Sequence, residues 1–164
     1  MHTYIRIVDA LSRSAGILAM LLLAAAVVVV CQMIFMRYVL NASTVWQTEF
    51  VIYALMAATF VGSPYVLLYR GHVGVDLLPN ALGGRGRFLL DVIASVLSLA
   101  FCLILAWSSY GYFHEAAWGG WTTDTVWALP LWIPLLPLPL GMALLSLQYV
   151  AEIAKLASSP EQRS

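Results

Sequence analysis

Four uninterrupted apolar runs decide what this chain can fold into. Residues 15–36, 50–69, 92–113 and 125–151 contain no Asp, Glu, Lys or Arg. Each reaches the length of about 20 residues at which an α-helix, rising about 1.5 Å per residue, crosses hydrocarbon. Backbone amides find no water in a bilayer, so a spanning segment must satisfy them itself as a helix or in a closed barrel, and no alternating strand pattern is present. With 62% hydrophobic and 10% charged residues and a mean hydropathy of +0.89, the chain has too little polar surface to cover a water-soluble globule. The expectation is an all-α integral membrane protein of four transmembrane helices. It forms one domain over 1–156, with spans near 15–36, 50–69, 92–113 and 130–156 and a polar tail over 157–164.

Orientation follows from the short connections. Arg6 and Arg13 precede the first span, Arg70, Arg85 and Arg87 lie between the second and third, and Lys155 and Arg163 follow the fourth; only Arg37 lies on the other side. This bias places both termini in the cytoplasm. Five of the six tryptophans, Trp46, Trp118, Trp121, Trp127 and Trp132, fall at or near the side assigned as outer, as an interfacial aromatic belt requires. The first run follows two arginines as a secretory signal does, but it is longer than an h-region and continues into Phe35-Met-Arg-Tyr38 without a small-residue cleavage site, so it is expected to be retained.

Local patterns refine this frame. In residues 2–14, Tyr4, Ile5, Ile7, Val8 and Leu11 share one helical face and Arg6, Asp9 and Arg13 the other. The pattern allows either a helix lying on the inner surface before it turns into the membrane or a cytoplasmic extension of the first span. Arg37 ends the first apolar run and Glu49 lies about one turn into the second, so in an antiparallel pair both sit near the same membrane face. An internal Arg37–Glu49 ion pair is the first expectation, and contact with a partner chain the second. Asn41, Ala42 and Ser43 make the intervening turn, with Ser43 or Thr44 capping the next helix and Trp46 at interfacial depth. Pro64, preceded by Gly62 and Ser63, predicts a kink in the second span, with the small neighbours re-satisfying the freed carbonyl. On the inner side, Asp76 caps a short interfacial turn, Gly83–Arg87 forms a flexible cationic turn, and Asp91 opens the third helix. Pro130, Pro134, Pro137 and Pro139 predict a kinked lead-in to helix four, regular only from about Pro137. Its irregular part must be shielded by protein.

Several chemistries lack their residues. No span carries an ionisable group at its middle, where a proton or ion pathway would need one. His2, His72 and His114 are not spaced to face one another across a haem, and Cys31 and Cys102 form no CxxC pair. No nucleotide loop, catalytic triad or metal cluster is present, the few Lys and Arg form no basic patch for nucleic acid, and no cofactor is implied. A non-enzymatic membrane protein is expected.

Taken in order, Phe35-Met-Arg-Tyr38, Trp46-Gln-Thr-Glu49, Gly71-His-Val-Gly-Val-Asp76, Leu131-Trp-Ile-Pro134 and Pro139-Leu-Gly141 resemble the small membrane subunit of TRAP (tripartite ATP-independent periplasmic) transporters, the DctQ-like family. The resemblance runs from about residue 5 to 156; Gly74 stands where a longer, often basic residue is expected. It implies a small accessory subunit in the bacterial inner membrane that supports a large membrane subunit. Uptake would be driven by an ion gradient, typically sodium, for a carboxylate-bearing solute such as a C4-dicarboxylate or other organic acid, delivered by a periplasmic binding protein. Position by position, it makes Arg37, Trp46, Glu49, Arg70, His72 and Asp76 candidates for partner contact or a structural ion pair, and Trp132, Pro134, Pro139 and Gly141 candidates for packing at the start of helix four. Two other classes, a free-standing four-helix membrane redox protein and a small homo-oligomeric exporter, fit the composition as well.

Overall fold

The computed structural model describes residues 2–69, 84–125 and 127–158. The chain forms α1 (His2–Val39), α2 (Val45–Leu68), α3 (Gly84–Trp118), a single turn α4 (Trp132–Leu135) and α5 (Pro137–Ser158). Four stretches, Thr3–Val39, Val45–Leu68, Leu90–Trp118 and Trp132–Lys155, are long and apolar enough to cross a membrane. Among the described residues there is no strand, only an isolated antiparallel bridge between Thr122 and Pro130.

The helices outrun the apolar runs, because hydropathy marks where a span enters hydrocarbon and not where its hydrogen-bond ladder stops. Residues 2–14 continue α1 without a break, which removes the turn required by the surface-lying alternative. Likewise α3 begins at Gly84, so the turn expected at Gly83–Arg87 is helical from Gly84 onward and Asp91 lies two turns inside the helix instead of opening it. The interfacial turn expected after Asp76 and the tail after Ser158 lie outside the described residues.

Small residues set the packing. Ala15, Ala19 and Ala26 form a buried stripe on α1, and Ala54 and Ala58 are buried on α2. Without side chains between them the backbones approach closely, which is how helices adhere where lipid removes the hydrophobic drive. A methyl group at Gly16 would collide with the ring of Tyr65, and one at Gly62 would stand 3.0 Å from Ala19 Cβ. With Thr48 reaching Met33, these contacts fix one antiparallel register along α1 and α2. The third helix of the row, α5, meets α2 where the Gly141 backbone lies against the Phe60 carbonyl. Cys102 on α3 then packs with Met142 and Leu145 on α5.

The order in space is therefore α1, α2, α5, α3. Among the described residues the last of these makes its substantial contacts only with α5 and α4. This is an open row, not a closed four-helix bundle, and α3 exposes Leu97, Phe101, Ile104 and Trp107.

Proline positions are accommodated locally. Pro64 lies inside α2 with its ring fully buried. The Phe60 carbonyl, which a residue-64 N–H would otherwise engage, accepts a hydrogen bond from Ser63 Oγ at 2.8 Å. At the start of the fourth span, Leu131 and Leu136 keep right-handed helical backbone on either side of α4, and α5 begins at Pro137. The expected irregular stretch is thus reduced to the segment before Leu131. That segment folds back on the end of α3: Thr123 N donates to Leu129 O at 2.9 Å and Leu131 N to Trp121 O at 2.8 Å. The chain itself supplies part of the cover that the proline-rich lead-in requires.

Candidate functional site

Polar chemistry gathers at the two ends of the row. At the hairpin end, α1 stops at Val39, Asn41 with its φ of 49° reverses the chain, and Ala42 N donates back to Met36 O at 3.1 Å. Asn tolerates this left-handed geometry better than most residues. Thr44 is the N-cap of α2, but neither it nor Ser43 supplies a side-chain cap; Thr48 Oγ1 instead donates to Thr44 O at 3.2 Å. Arg37 is exposed and lines an open cleft with Asn41, Ser43, Thr44 and Thr48.

Glu49 behaves differently. It is 7% exposed, and among the described residues neither carboxylate oxygen has a hydrogen-bond partner; Gln47, at 1%, has an Oε1 likewise without one. The expected Arg37–Glu49 ion pair is therefore not formed within this chain. The register explains why. Thr48 lies opposite Met33, which puts Glu49 about level with residue 32, some 7 Å along the axis from Arg37 at about 1.5 Å per residue. Helical periodicity also turns Glu49 to the side of α2 shared by Trp46 and Tyr53, under the loop between α3 and α4. There Trp46 meets Trp127 edge-on, with ring centroids 6.4 Å apart. Tyr53 lines an apolar crevice with Trp127, Leu129, Ile133 and Pro134.

Of the residues singled out at the start of the fourth span, Trp132 is 40% exposed, Pro134 and Gly141 are buried, and Pro139 is half-buried. Arg70, His72 and Asp76 lie outside the described residues.

The opposite end holds a network with no counterpart in the expected sites. Ser12 Oγ donates to Gln148 Oε1 at 2.8 Å, and Gln148 Nε2 donates to Asp9 Oδ1 at 3.1 Å. Lys155 Nζ bonds Asp9 Oδ1 at 3.1 Å and Glu152 Oε1 at 2.9 Å. Ser12 and Gln148 are fully buried, so their mutual hydrogen bond removes the cost of sealing two polar groups from water. The signal in the sequence was a glutamine inside the fourth apolar run, where an unpaired amide would be costly. Its partner lies 136 residues away. Tyr4 adds a bond from its hydroxyl to Leu147 O at 3.2 Å. Because Tyr4 and Ser12, eight positions apart, reach adjacent residues of α5, the two helices cross steeply here.

No cluster of three or more His, Cys, Asp or Glu side chains able to hold a metal occurs among the described residues. The two cysteines are free, Cys31 exposed on α1 and Cys102 buried on α3. The arrangement offers structural clamps at both ends and long apolar helix faces between them.

Comparison with known proteins agrees with this architecture. Residues 26–159 match the family model described as tripartite ATP-independent periplasmic transporters, DctQ component. A curated relative from Vibrio cholerae serotype O1, the C4-dicarboxylate TRAP transporter small permease protein DctQ, is 30% identical over 140 residues, covering 71% of this chain. The chain spans about 60% of that relative's length. With four membrane-crossing helices and a family match over most of its length, this chain belongs to the DctQ component family of TRAP transporters.

Proposed function

We propose that this chain is the small accessory subunit of a TRAP-type secondary transporter in the bacterial inner membrane, with both termini cytoplasmic. It supports a large membrane subunit in uptake, driven by an ion gradient, of a carboxylate-bearing solute that a periplasmic binding protein delivers. The name of the Vibrio cholerae relative, a C4-dicarboxylate TRAP transporter small permease protein, favours a C4-dicarboxylate as the solute. The observation that carries the reading is the open row of helices. A chain with no charge at mid-span and one helix anchored along a single side suits a scaffold that adheres to a larger membrane protein.

Arg37 and Trp46 serve on this reading as the partner-facing side of the outer hairpin, since Arg37 opens to a cleft and Trp46 is 43% exposed. Glu49 orders the loop above it. Arg70, His72 and Asp76 have the corresponding partner-contact role on the inner side, while Trp132, Pro134, Pro139 and Gly141 pack the start of the fourth span.

Uptake of radiolabelled C4-dicarboxylate into vesicles tests this. The large subunit and binding protein are reconstituted under a sodium gradient with and without this chain. Uptake that requires the chain is expected, and undiminished uptake without it would overturn the accessory role.

A further inference from the structure

Residues 4–19 of α1 present three distinct faces. Val8, Ser12, Ala15 and Ala19 are buried. About a quarter of a turn away, Tyr4, Ile7, Leu11 and Leu18 form an apolar stripe that stays exposed, at 37%, 55%, 46% and 50%. Arg6 and Arg13 are exposed well over a third of a turn beyond that stripe and take no part in the ion pairs among the described residues. Asp9, the carboxylate between them, is held by Lys155 and Gln148, so the two arginine charges are not cancelled from within this segment.

Length makes the stripe conspicuous. Counting about 30 Å of hydrocarbon inward from Arg37 reaches only Ile17. Tyr4, Ile7 and Leu11 therefore lie beyond the part of α1 that an upright span would place in lipid. From Tyr4 to Arg37 the helix measures roughly 50 Å, against about 40–45 Å for a bilayer with its headgroup layers. A tilt of about 30°, within the range such helices adopt, brings the whole length inside. A helix tilted in this way turns one side toward the acyl chains and the other toward water as it leaves the membrane. The Ser12–Gln148 and Tyr4–Leu147 bonds hold the rotation of α1, so which side faces which way is fixed.

We propose that the first three turns of α1 are an interfacial anchor in the leaflet on the side of the chain's termini. Tyr4, Ile7 and Leu11 enter the boundary of the acyl chains, and Arg6 and Arg13 take the phosphates of anionic phospholipids. The charge pattern selects this occupant: an apolar stripe on one side of the helix and, further round, two exposed arginines without an ion pair among the described residues match a headgroup layer, where each basic side chain gains from the negative surface and its aliphatic stem reaches over apolar surface. The anchor sets the tilt of α1, and through the continuous α1–α2 contact it holds the row at a constant angle to the membrane.

The test uses the full chain with Cys31→Ser and Cys102→Ala, reconstituted in vesicles. Single spin labels are placed at Ile7→Cys, Leu11→Cys and Ala10→Cys, and collision with oxygen, which partitions into lipid, is compared with collision with a water-soluble nickel chelate. Labels at 7 and 11 are expected to favour oxygen, and the label at 10 the chelate. The contrast should grow when phosphatidylglycerol is added to phosphatidylcholine, and Arg6→Gln with Arg13→Gln should abolish that growth. Equal chelate access at all three positions would overturn the anchor, because the stripe would then stand in water. Shielding of 7 and 11 from both reagents would overturn it in favour of a protein cover. A lipid response that survives loss of both arginines would overturn the assignment of the anionic headgroup.

Discussion

Glu49 is enclosed by its own chain, and among the described residues nothing donates a hydrogen bond to it. Sequestering a polar side chain in this way costs free energy unless a partner compensates. Replacement by the neutral isostere, Glu49→Gln, should therefore raise the stability of the isolated chain by about 1–3 kcal/mol. Thermal unfolding in mild detergent should show an upward shift of the midpoint, and a lower midpoint would mean that the carboxylate has a compensating group. Gly141 and Gly111 provide a paired test of close packing. A methyl group at Gly141 meets the Phe60 backbone carbonyl, whereas one at Gly111 meets nothing within 4 Å. Gly141→Ala must part α5 from α2 and should cost about 1–3 kcal/mol, as overpacking does. Gly111→Ala sits in an open helical position and should gain about 0.5–1 kcal/mol from reduced backbone freedom. The same detergent melts, run side by side, separate the two.

Within α2, Ser63 and Pro64 act as a unit. Pro64 removes the donor that would engage the Phe60 carbonyl, and Ser63 Oγ replaces it. Ser63→Ala should cost about 1 kcal/mol by leaving that carbonyl unpaired. In a Pro64→Ala background the restored N–H takes over the carbonyl, and the same serine substitution should then cost little. A double-mutant cycle on melting midpoints reads the coupling directly; equal costs in both backgrounds would show that the serine acts elsewhere. This device was legible in the sequence because donor, acceptor and proline lie within five residues. Span number and order were legible for a similar reason, since hydropathy is a property of contiguous residues. The fate of Arg37 and Glu49 was not, because it depends on the register of α1 against α2 and on which side of α2 each position faces. The Asp9–Lys155 contact joins residues 146 apart and depends on a steep crossing of α1 and α5 that no local pattern encodes. The start of α3 was misjudged because Gly83, Gly84 and Gly86 read as a turn, while of the two courses left open for residues 2–14 the extension of the first span is the one formed.

For the whole molecule, the consequence of the open row is unequal stability. The α1–α2 hairpin is continuous along its length, and α5 touches α1, α2 and α3, while among the described residues α3 rests on α5 and the single turn α4, around Cys102, Met142 and Leu145. Helices in lipid adhere by close packing and a few polar contacts, and α3 has the least of both. Beside Cys102, an apolar groove lined by Leu97, Phe101, Met142 and Tyr149 interrupts even that contact. The chain alone should therefore open by detachment of α3 before the α1–α2 pair separates, as a local unit of low stability. Hydrogen exchange of the purified chain in lipid nanodiscs tests this: amides near the ends of α3, outside the hydrocarbon, should exchange faster than those at the ends of α1 and α2. In complex with the proposed large subunit, protection should rise most on α3 if the exposed face of Leu97, Phe101, Ile104 and Trp107 is covered by that partner. Protection that rises instead on α1 would place the partner at the opposite end of the row. Uniform exchange across all helices in the free chain would mean that the contact through α5 is as strong as the longer one between α1 and α2.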